Sequence, residues 1–178
     1  MDEDYAGETL KDYITGKIVP NIGAEANRQR VERALVDLKG FAREDIEVDA
    51  PIHLDMGTEQ FDSTLDLVVR VRGWRYMVIK CAPGALTSRE REVVAAARLV
   101  EEKFQVPLAA ASDGHTALVW DAVSGKLIGE GMQAIPSQKQ AEASFDPQKL
   151  QALDLSRKWR HQLVFRSYDS HNVHRRES

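Results

Sequence analysis

The sequence predicts one α/β domain in which helices cover a central mixed β-sheet. Apolar residues at helical spacing alternate along the chain with short runs rich in β-branched residues. The length of 178 residues fits a single domain of ordinary size. With 43% hydrophobic and 29% charged residues, the composition is that of a folded soluble protein and excludes wholesale disorder.

The first predicted helix follows an N-terminal lead-in of residues 1–19. Its apolar residues recur at i, i+3, i+4 and i+7: Val31, Ala34, Leu35 and Leu38. Gly40 is suited to end this helix, since glycine is common just after a helix. The alternation of Ile46, Val48, Ala50 and Ile52 with polar residues then predicts a half-buried strand.

Residues 64–71 and 75–81 give the strongest strand signal and predict a hairpin around Gly73. A helix over residues 88–103 is expected next, because Thr87 and Glu90 have the spacing of a capping box. Val93, Ala97, Val100 and Phe104 form the apolar stripe of this helix.

Three shorter strands are expected after that helix, at residues 108–111, 117–120 and 127–128. Asp113 and Gly114 favour a tight turn between the first two. The compact domain is predicted to span residues 20–137. Residues 138–178 are interpreted as a polar linker up to 147, a last helix over 148–166 and a basic tail.

Cysteine content and charge limit the location and the class of protein. Cys81 is the single cysteine, so no intrachain disulfide can form, and a reducing compartment is expected. The acidic N-terminus lacks the features of a secretory signal and no apolar run is long enough for a membrane helix, which predicts a cytoplasmic protein. Residues 1–147 hold 17 basic and 25 acidic side chains, against 7 and 3 in residues 148–178. The acidic body argues against nonspecific coating of nucleic acid.

Two charged residues of the hairpin require an explanation. Asp66 lies inside an apolar strand and Lys80 ends the next one, and buried charges are costly unless they are paired or bind a metal. A three-residue turn at 72–74 would place Asp66 opposite Lys80. A two-residue turn would place them on opposite faces of the hairpin and would exclude a shared site.

The hairpin also resembles the active-site region of nucleases with the restriction-endonuclease-like fold. These enzymes carry an acidic residue on one strand and a Glu-x-Lys triplet on its partner, and Asp66 and Lys80 match two of those positions. An ordered series of segments over residues 20–137 resembles the N-terminal domain of type I restriction enzyme R subunits: GAEANRQRVERALVDLKGF, EDIEVDAPI, LDLVVRVRGWRYMVIKCAPG, AARLVEEKFQVPLAAASDG and VWDAVSGKLIGEG.

This resemblance implies a restriction-endonuclease-like core and a role in DNA restriction. Asp66 would bind Mg²⁺, Lys80 would activate the attacking water, and Glu25 would be the acidic residue at the start of the first helix. DNA and other restriction-system subunits would be the partners. A homodimer would suit an enzyme that cuts two strands.

The chain departs from the family pattern at Val78, where the glutamate of the triplet is expected. Valine cannot bind a metal, so either catalysis is lost or another acid replaces the glutamate. The candidates for this replacement as metal ligands are Glu25, Glu90 and Glu92. Two hypotheses follow: a Mg²⁺-dependent DNA endonuclease, or a catalytically inactive module for DNA binding or protein assembly.

Simpler roles remain open for several of these residues. Glu25 and Glu90 also suit the start of a helix, and Asp66 suits a hydrogen bond with a neighbouring strand. Arg70, Arg72 and Arg75 are candidates for DNA contact, but a solvated hairpin tip is the simpler explanation for them.

Overall fold

The computed structural model describes residues 7–173 and the side chains of residues 7–169. The strands are β1 Thr9–Lys11, β2 Ile18–Pro20, β3 Ile46–Asp55, β4 Gln60–Val71, β5 Trp74–Cys81, β6 Leu108–Ser112, β7 Ala117–Asp121 and β8 Leu127–Glu130. The α-helices in the described part are α1 Glu25–Arg33, α2 Glu90–Leu99, α3 Gln138–Ser144 and α4 Lys158–Val173. The α/β prediction is confirmed.

Strands β3 to β8 form one mixed sheet in sequence order, and β1 and β2 form a separate small sheet. Neighbouring strands are antiparallel except β5 and β6, which are parallel. A parallel pair needs a crossover connection, and α2 lies in that connection. The crossover therefore places α2 against the face of the sheet beside β5.

Two hydrophobic cores lie on opposite faces of the sheet. The core that contains Val31 and Leu35 packs α1 against the sheet, and Ala141 of α3 belongs to it. The other core contains Val93 of α2 and Phe165 of α4. Helices therefore cover both faces of the sheet.

The side chains of β3 change faces at Asp49. Ile46 and Val48 pack with the core under α1, whereas Ala50 and Ile52 belong to the core under α2. Asp49 has a φ of 53°, a left-handed conformation that interrupts the regular alternation of a strand. The alternation in the sequence predicted the strand correctly, but not this change of face.

Helix α1 starts at Glu25, and a π-helical turn over Ala34–Leu38 continues it. A π turn contains an extra residue, which displaces Leu38 from the apolar stripe that the sequence predicted. Leu38 is 78% exposed as a result. The lead-in residues before α1 are ordered from Gly7 onward and include β1 and β2; residues 1–6 lie outside the described range.

Helix α2 is shorter than predicted and has no capping box. A 3-10 turn over Leu86–Arg89 precedes it, and the Ser88 hydroxyl donates backward to the Ala85 carbonyl oxygen. The expected use of Glu90 as a capping residue is therefore wrong. Phe104 lies beyond the helix and still packs against the core under α2.

The stretch predicted as a linker, residues 137–147, contains α3. Ser137 and Gln140 form a capping box at its start, and Ala141 and Phe145 are buried. The last helix also begins later than expected, at Lys158, and its residues Trp159 and Leu163 are exposed. Among the described residues, no helix is both long enough and apolar enough to span a bilayer.

Candidate functional site

The register of the β4–β5 hairpin decides whether Asp66 and Lys80 share a site. The turn contains two residues, Arg72 and Gly73, whose positive φ values of 50° and 81° suit a tight hairpin turn. A bulge after this turn shifts the register, so that Tyr76 is an extra residue on β5 and Val68 lies opposite Val78.

The expectation that a two-residue turn excludes a shared site is therefore wrong. The bulge restores the pairing that a three-residue turn would have given. Lys80 Nζ lies 3.6 Å from Asp66 Oδ2 on the face of the sheet that α2 covers.

Glu92 of α2 completes a group of charged residues around Lys80. Its Oε1 lies 3.3 Å from Lys80 Nζ, and its Oε2 lies 3.7 Å from Arg89 Nη1. Asp66 Oδ2 also accepts a hydrogen bond of 2.8 Å from the backbone N–H of Cys81. We call these four side chains the lysine cluster: Asp66, Lys80, Arg89 and Glu92.

The carboxylates keep Lys80 charged. Burial by itself would lower the pKa of Lys80, but Asp66 and Glu92 more than offset this effect and the pKa is raised. Lys80 is therefore an ammonium ion at neutral pH. It can stabilise negative charge, but it cannot act as a base.

A small cavity of about 20 Å³ adjoins the lysine cluster. A water molecule needs roughly 10–15 Å³ measured in this way, so the cavity has room for about one water but not for a phosphodiester group. Phe165 and Asp169 of α4 form part of its wall, and Asp169 is only 5% exposed. The last helix therefore limits access to Lys80.

The lysine cluster does not fit Mg²⁺ in this arrangement. Magnesium prefers carboxylate and water oxygens in octahedral geometry, whereas the Lys80 ammonium lies within 3.6 Å of both Asp66 and Glu92 and repels a cation. Val78 lines the cavity and offers no oxygen. Within residues 7–169, no three side chains of His, Cys, Asp or Glu converge as a metal site requires.

Glu25 lies apart from Lys80, in a second group of charged residues around α1. Arg28 Nη2 lies 2.9 Å from Glu25 Oε2, and Gln29 donates to Glu25 Oε1 at 2.9 Å. Further carboxylates surround the same arginine. We call this group the arginine cluster: Asp12, Glu25, Arg28, Glu32 and Asp49.

Crowding of acids in the arginine cluster changes the protonation of Glu32. Burial, followed by repulsion from Asp12, raises the pKa of Glu32 to about 8 although Arg28 opposes the change. The carboxylates in turn raise the pKa of Arg28. Glu32 is therefore largely neutral at pH 7. Its raised pKa has a structural cause, the shared burial with Asp12, and Glu32 does not line the small cavity at Lys80.

Glu90 points away from the lysine cluster. It is exposed and lines a different cavity, together with Arg98 and His161. Of the three acids expected to replace the missing glutamate, Glu92 alone lies beside Lys80.

The arginines of the hairpin tip are engaged within the protein. Arg70 and Arg75 both bind Glu47, at 3.1 and 2.9 Å, and these contacts lower the pKa of Glu47 despite its partial burial. Arg72 donates to the Phe145 carbonyl oxygen. These contacts occupy part of the donors that each arginine could offer to a phosphate.

A family model provides an independent comparison. The model that describes the N terminus of the type I restriction enzyme R protein matches residues 23–136, well over half of the chain. The chain belongs to this family. The match relates the protein to type I restriction and covers both β4 and β5. Neither a curated protein nor a solved structure matches the chain.

Sequence reasoning missed several residues of the two clusters. Asp12 was part of the assumed lead-in and Asp169 lies far from the hairpin in sequence, so neither gave a local signal. Arg28 and Glu32 are spaced i and i+4 on a predicted helix. That spacing was a readable sign of an ion pair.

Proposed function

We propose that this chain is a catalytically silent module of a restriction system that binds or assembles with other subunits. The observation that carries the proposal is the charge balance of the lysine cluster. Asp66 and Glu92 already have two cationic partners, Lys80 and Arg89. Such a cluster is neutral without a metal and serves to fix α2 against the hairpin.

Two further observations support a silent site. The acid that the family resemblance assigns to the first helix, Glu25, is held by Arg28 in the arginine cluster. Val78 takes the position of the missing glutamate and is only 2% exposed in the core. Of the acidic residues in the family pattern, Asp66 alone therefore lies beside Lys80.

We propose protein partners ahead of DNA for the same module. Arg70, Arg72 and Arg75 form contacts within the domain, and the body of the chain is acidic. Backbone phosphates would meet net repulsion there. DNA contact, a homodimer and a cytoplasmic location stay predictions.

One observation favours phosphodiester hydrolysis as a second candidate. Glu92 lies 3.3 Å from Lys80, where it could replace the carboxylate that Val78 lacks. In that case Asp66 and Glu92 would be the acids of a Mg²⁺-dependent DNA endonuclease. The ammonium group of Lys80, which lies between the two carboxylates, would have to move away before they could bind the metal. The side chain of Lys80 would then stabilise charge on the phosphate.

Nicking of supercoiled plasmid DNA separates the two candidates. The native chain is incubated with Mg²⁺ or Mn²⁺ beside the variants Asp66→Asn, Lys80→Met and Glu92→Gln, which are purified in parallel. We expect the same background nicking in all four samples. If the native chain nicks the plasmid and each of the three substitutions abolishes this activity, the silent module is refuted and the endonuclease is established.

The Glu90→Gln variant is the matched control for this assay. It removes the same charge from the same helix, but Glu90 is exposed and lies outside the lysine cluster. Loss of nicking in Glu92→Gln but not in Glu90→Gln would assign the activity to the cluster.

A further inference from the structure

A larger cavity lies between α2 and α4 and shares no lining residue with the small cavity at Lys80. Its volume is about 300 Å³, the lower end of the range for small-molecule sites. Arg91 and Arg98 of α2 line one side, His161 of α4 lines the other, and Gly125 lies at one end. Neither hypothesis for the lysine cluster uses these residues.

Arg98 supplies a positive charge and forms no ion pair with an acid among the described residues, although the charge of Asp121 acts on it. Its Nε donates to the Ala122 carbonyl oxygen at 2.6 Å, and its Nη2 donates to Val123 at 3.3 Å. Both acceptors are neutral, so the guanidinium keeps its full charge although it is partly buried. The two bonds also fix its plane, and N–H groups of Nη1 and Nη2 remain for another acceptor.

His161 adds a hydrogen-bond donor beside Arg98. Arg98 Nη1 lies 3.5 Å from His161 Nδ1, and because an arginine nitrogen can only donate, Nδ1 must be the acceptor. Burial, followed by the charges of Arg98 and Arg157, lowers the pKa of His161. The ring is therefore neutral at pH 7 and carries its proton on Nε2, where it can donate.

Arg91 makes the cavity more positive. It is exposed and, among the described residues, forms no ion pair and no hydrogen bond. Glu90 is the one acid in the lining, set against Arg91 and Arg98. Arginine side chains at a concave surface with a surplus of positive charge are suited to bidentate recognition of phosphate.

We propose that the cavity between α2 and α4 binds the phosphate group of a small phosphorylated ligand. Arg98, fixed by two carbonyl groups, provides the permanent charge, Arg91 closes over the phosphate from the exposed side, and His161 donates from α4. The volume admits a ligand of about mononucleotide size. This inference goes beyond the proposed function and does not depend on it.

Titration of the assigned His161 ring signals by NMR tests the proposal, with inorganic phosphate and a nucleoside 5′-monophosphate as probes. A bound phosphate stabilises the imidazolium, so the midpoint should move to higher pH in the presence of either probe. The groups that face His161 are Arg98, Arg157, Glu90 and Arg91. We expect Arg91→Gln and Arg98→Gln each to weaken binding by about tenfold, the effect of losing one charged hydrogen bond.

Arg160→Gln is the matched control, because Arg160 lies on α4 against Trp159 and does not line the cavity. It should leave the affinity unchanged. An equal loss of affinity in all three variants would indicate nonspecific electrostatic attraction and would overturn the proposal. A His161 titration midpoint that phosphate leaves unchanged would also overturn it. Arg91 is exposed, so its variant keeps the test valid if Arg98→Gln fails to fold.

A short oligonucleotide with and without a 5′-phosphate identifies the source of the group. Binding that requires the terminal phosphate agrees with the proposal, because the cavity then recognises a terminal phosphate group and not the DNA chain. If the oligonucleotide still binds without its 5′-phosphate, the cavity binds the DNA backbone and the proposal of a small phosphorylated ligand is refuted.

Discussion

The two faces of the sheet neutralise buried charge in different ways. In the lysine cluster, two cations meet two carboxylates. In the arginine cluster, a single guanidinium lies within 4 Å of four carboxylates, and one acid, Glu32, takes up a proton because of its burial and its acidic neighbours. Cys81 lies between them, and charges of both clusters act on its thiol.

This difference shows that an excess of buried acids is not by itself a sign of catalysis. The arginine cluster has the more perturbed acid, yet its members link α1 to β3 and to the segment between β1 and β2. The lysine cluster has balanced charges and adjoins a cavity. Four substitutions test this comparison, from the largest expected effect to the smallest.

Replacement of Arg28 should cause the largest loss of stability. Arg28→Met leaves the carboxylates of Asp12 and Glu25 without their cation, and a broken buried ion pair costs about 3–5 kcal/mol. Urea unfolding followed by circular dichroism measures the change. A loss below about 1 kcal/mol, the level of a surface pair, would show that the cluster is open to water.

The pH dependence of stability should report Glu32. Its pKa rises from 4.5 to about 8 on folding, so the folded state binds the extra proton. The stabilisation is complete below about pH 4.5 and is lost as the pH rises through 8, by about 4 kcal/mol between pH 5 and pH 9 at a limiting slope of about 1.4 kcal/mol per unit. Urea unfolding between pH 5 and 9 measures it.

Glu32→Gln is the matched variant for this pH series. Glutamine resembles the neutral acid in shape, so the variant should unfold like the native chain at pH 5 and be more stable at pH 9. A native chain whose stability does not fall over this range would show that Glu32 is ionised in the folded state.

Replacement of Lys80 should have a smaller effect than replacement of Arg28. The side chains of Lys80 and Asp66 are 20% and 23% exposed, so water compensates for part of the lost contact, and we expect Lys80→Met to cost about 2 kcal/mol. Adding Glu92→Gln should recover part of this loss, because it removes an acid that has lost one of its two cations. The double variant must be more stable than Lys80→Met in chemical unfolding if the cluster is structural.

Asp49→Asn should have the smallest effect. Asp49 is 58% exposed, and asparagine tolerates its left-handed φ of 53°, so the loss of its ion pair with Arg28 should cost about 0.5 kcal/mol. Thermal unfolding measures this change against Asp49→Ala, which should be worse because alanine is strained at this φ. Equal values for the two variants would show that the backbone at Asp49 is not under constraint.

Much of the fold could be predicted from the sequence because its signals are local. The hairpin, the strand that starts at Ile46 and the existence of α1 and α2 each follow from a periodic pattern within about ten residues. The linker and the start of the last helix were placed wrongly, because the capping box at Ser137 was overlooked and the helix begins at Lys158.

The candidate site was predictable only in part. Asp66 and Lys80 were recognised as charged residues in apolar strands, and the structure brings them together. The sequence left Glu25, Glu90 and Glu92 as equal candidates for the missing acid. It did not indicate which face of the sheet each of them would lie on. Glu92 lies beside Lys80 and Glu25 lies in the arginine cluster because of how α2 and α1 pack against the sheet.

The sequence by itself determined the α/β class, because the spacing of apolar residues sets which segments become helices or strands. Tertiary structure decided which charged groups meet. The bulge at Tyr76 reverses the register that the two-residue turn would impose, and the crossover through α2 places Glu92 over the end of β5. Such contacts arise between residues far apart in the chain, where the energy depends on packing and burial and no short pattern records it.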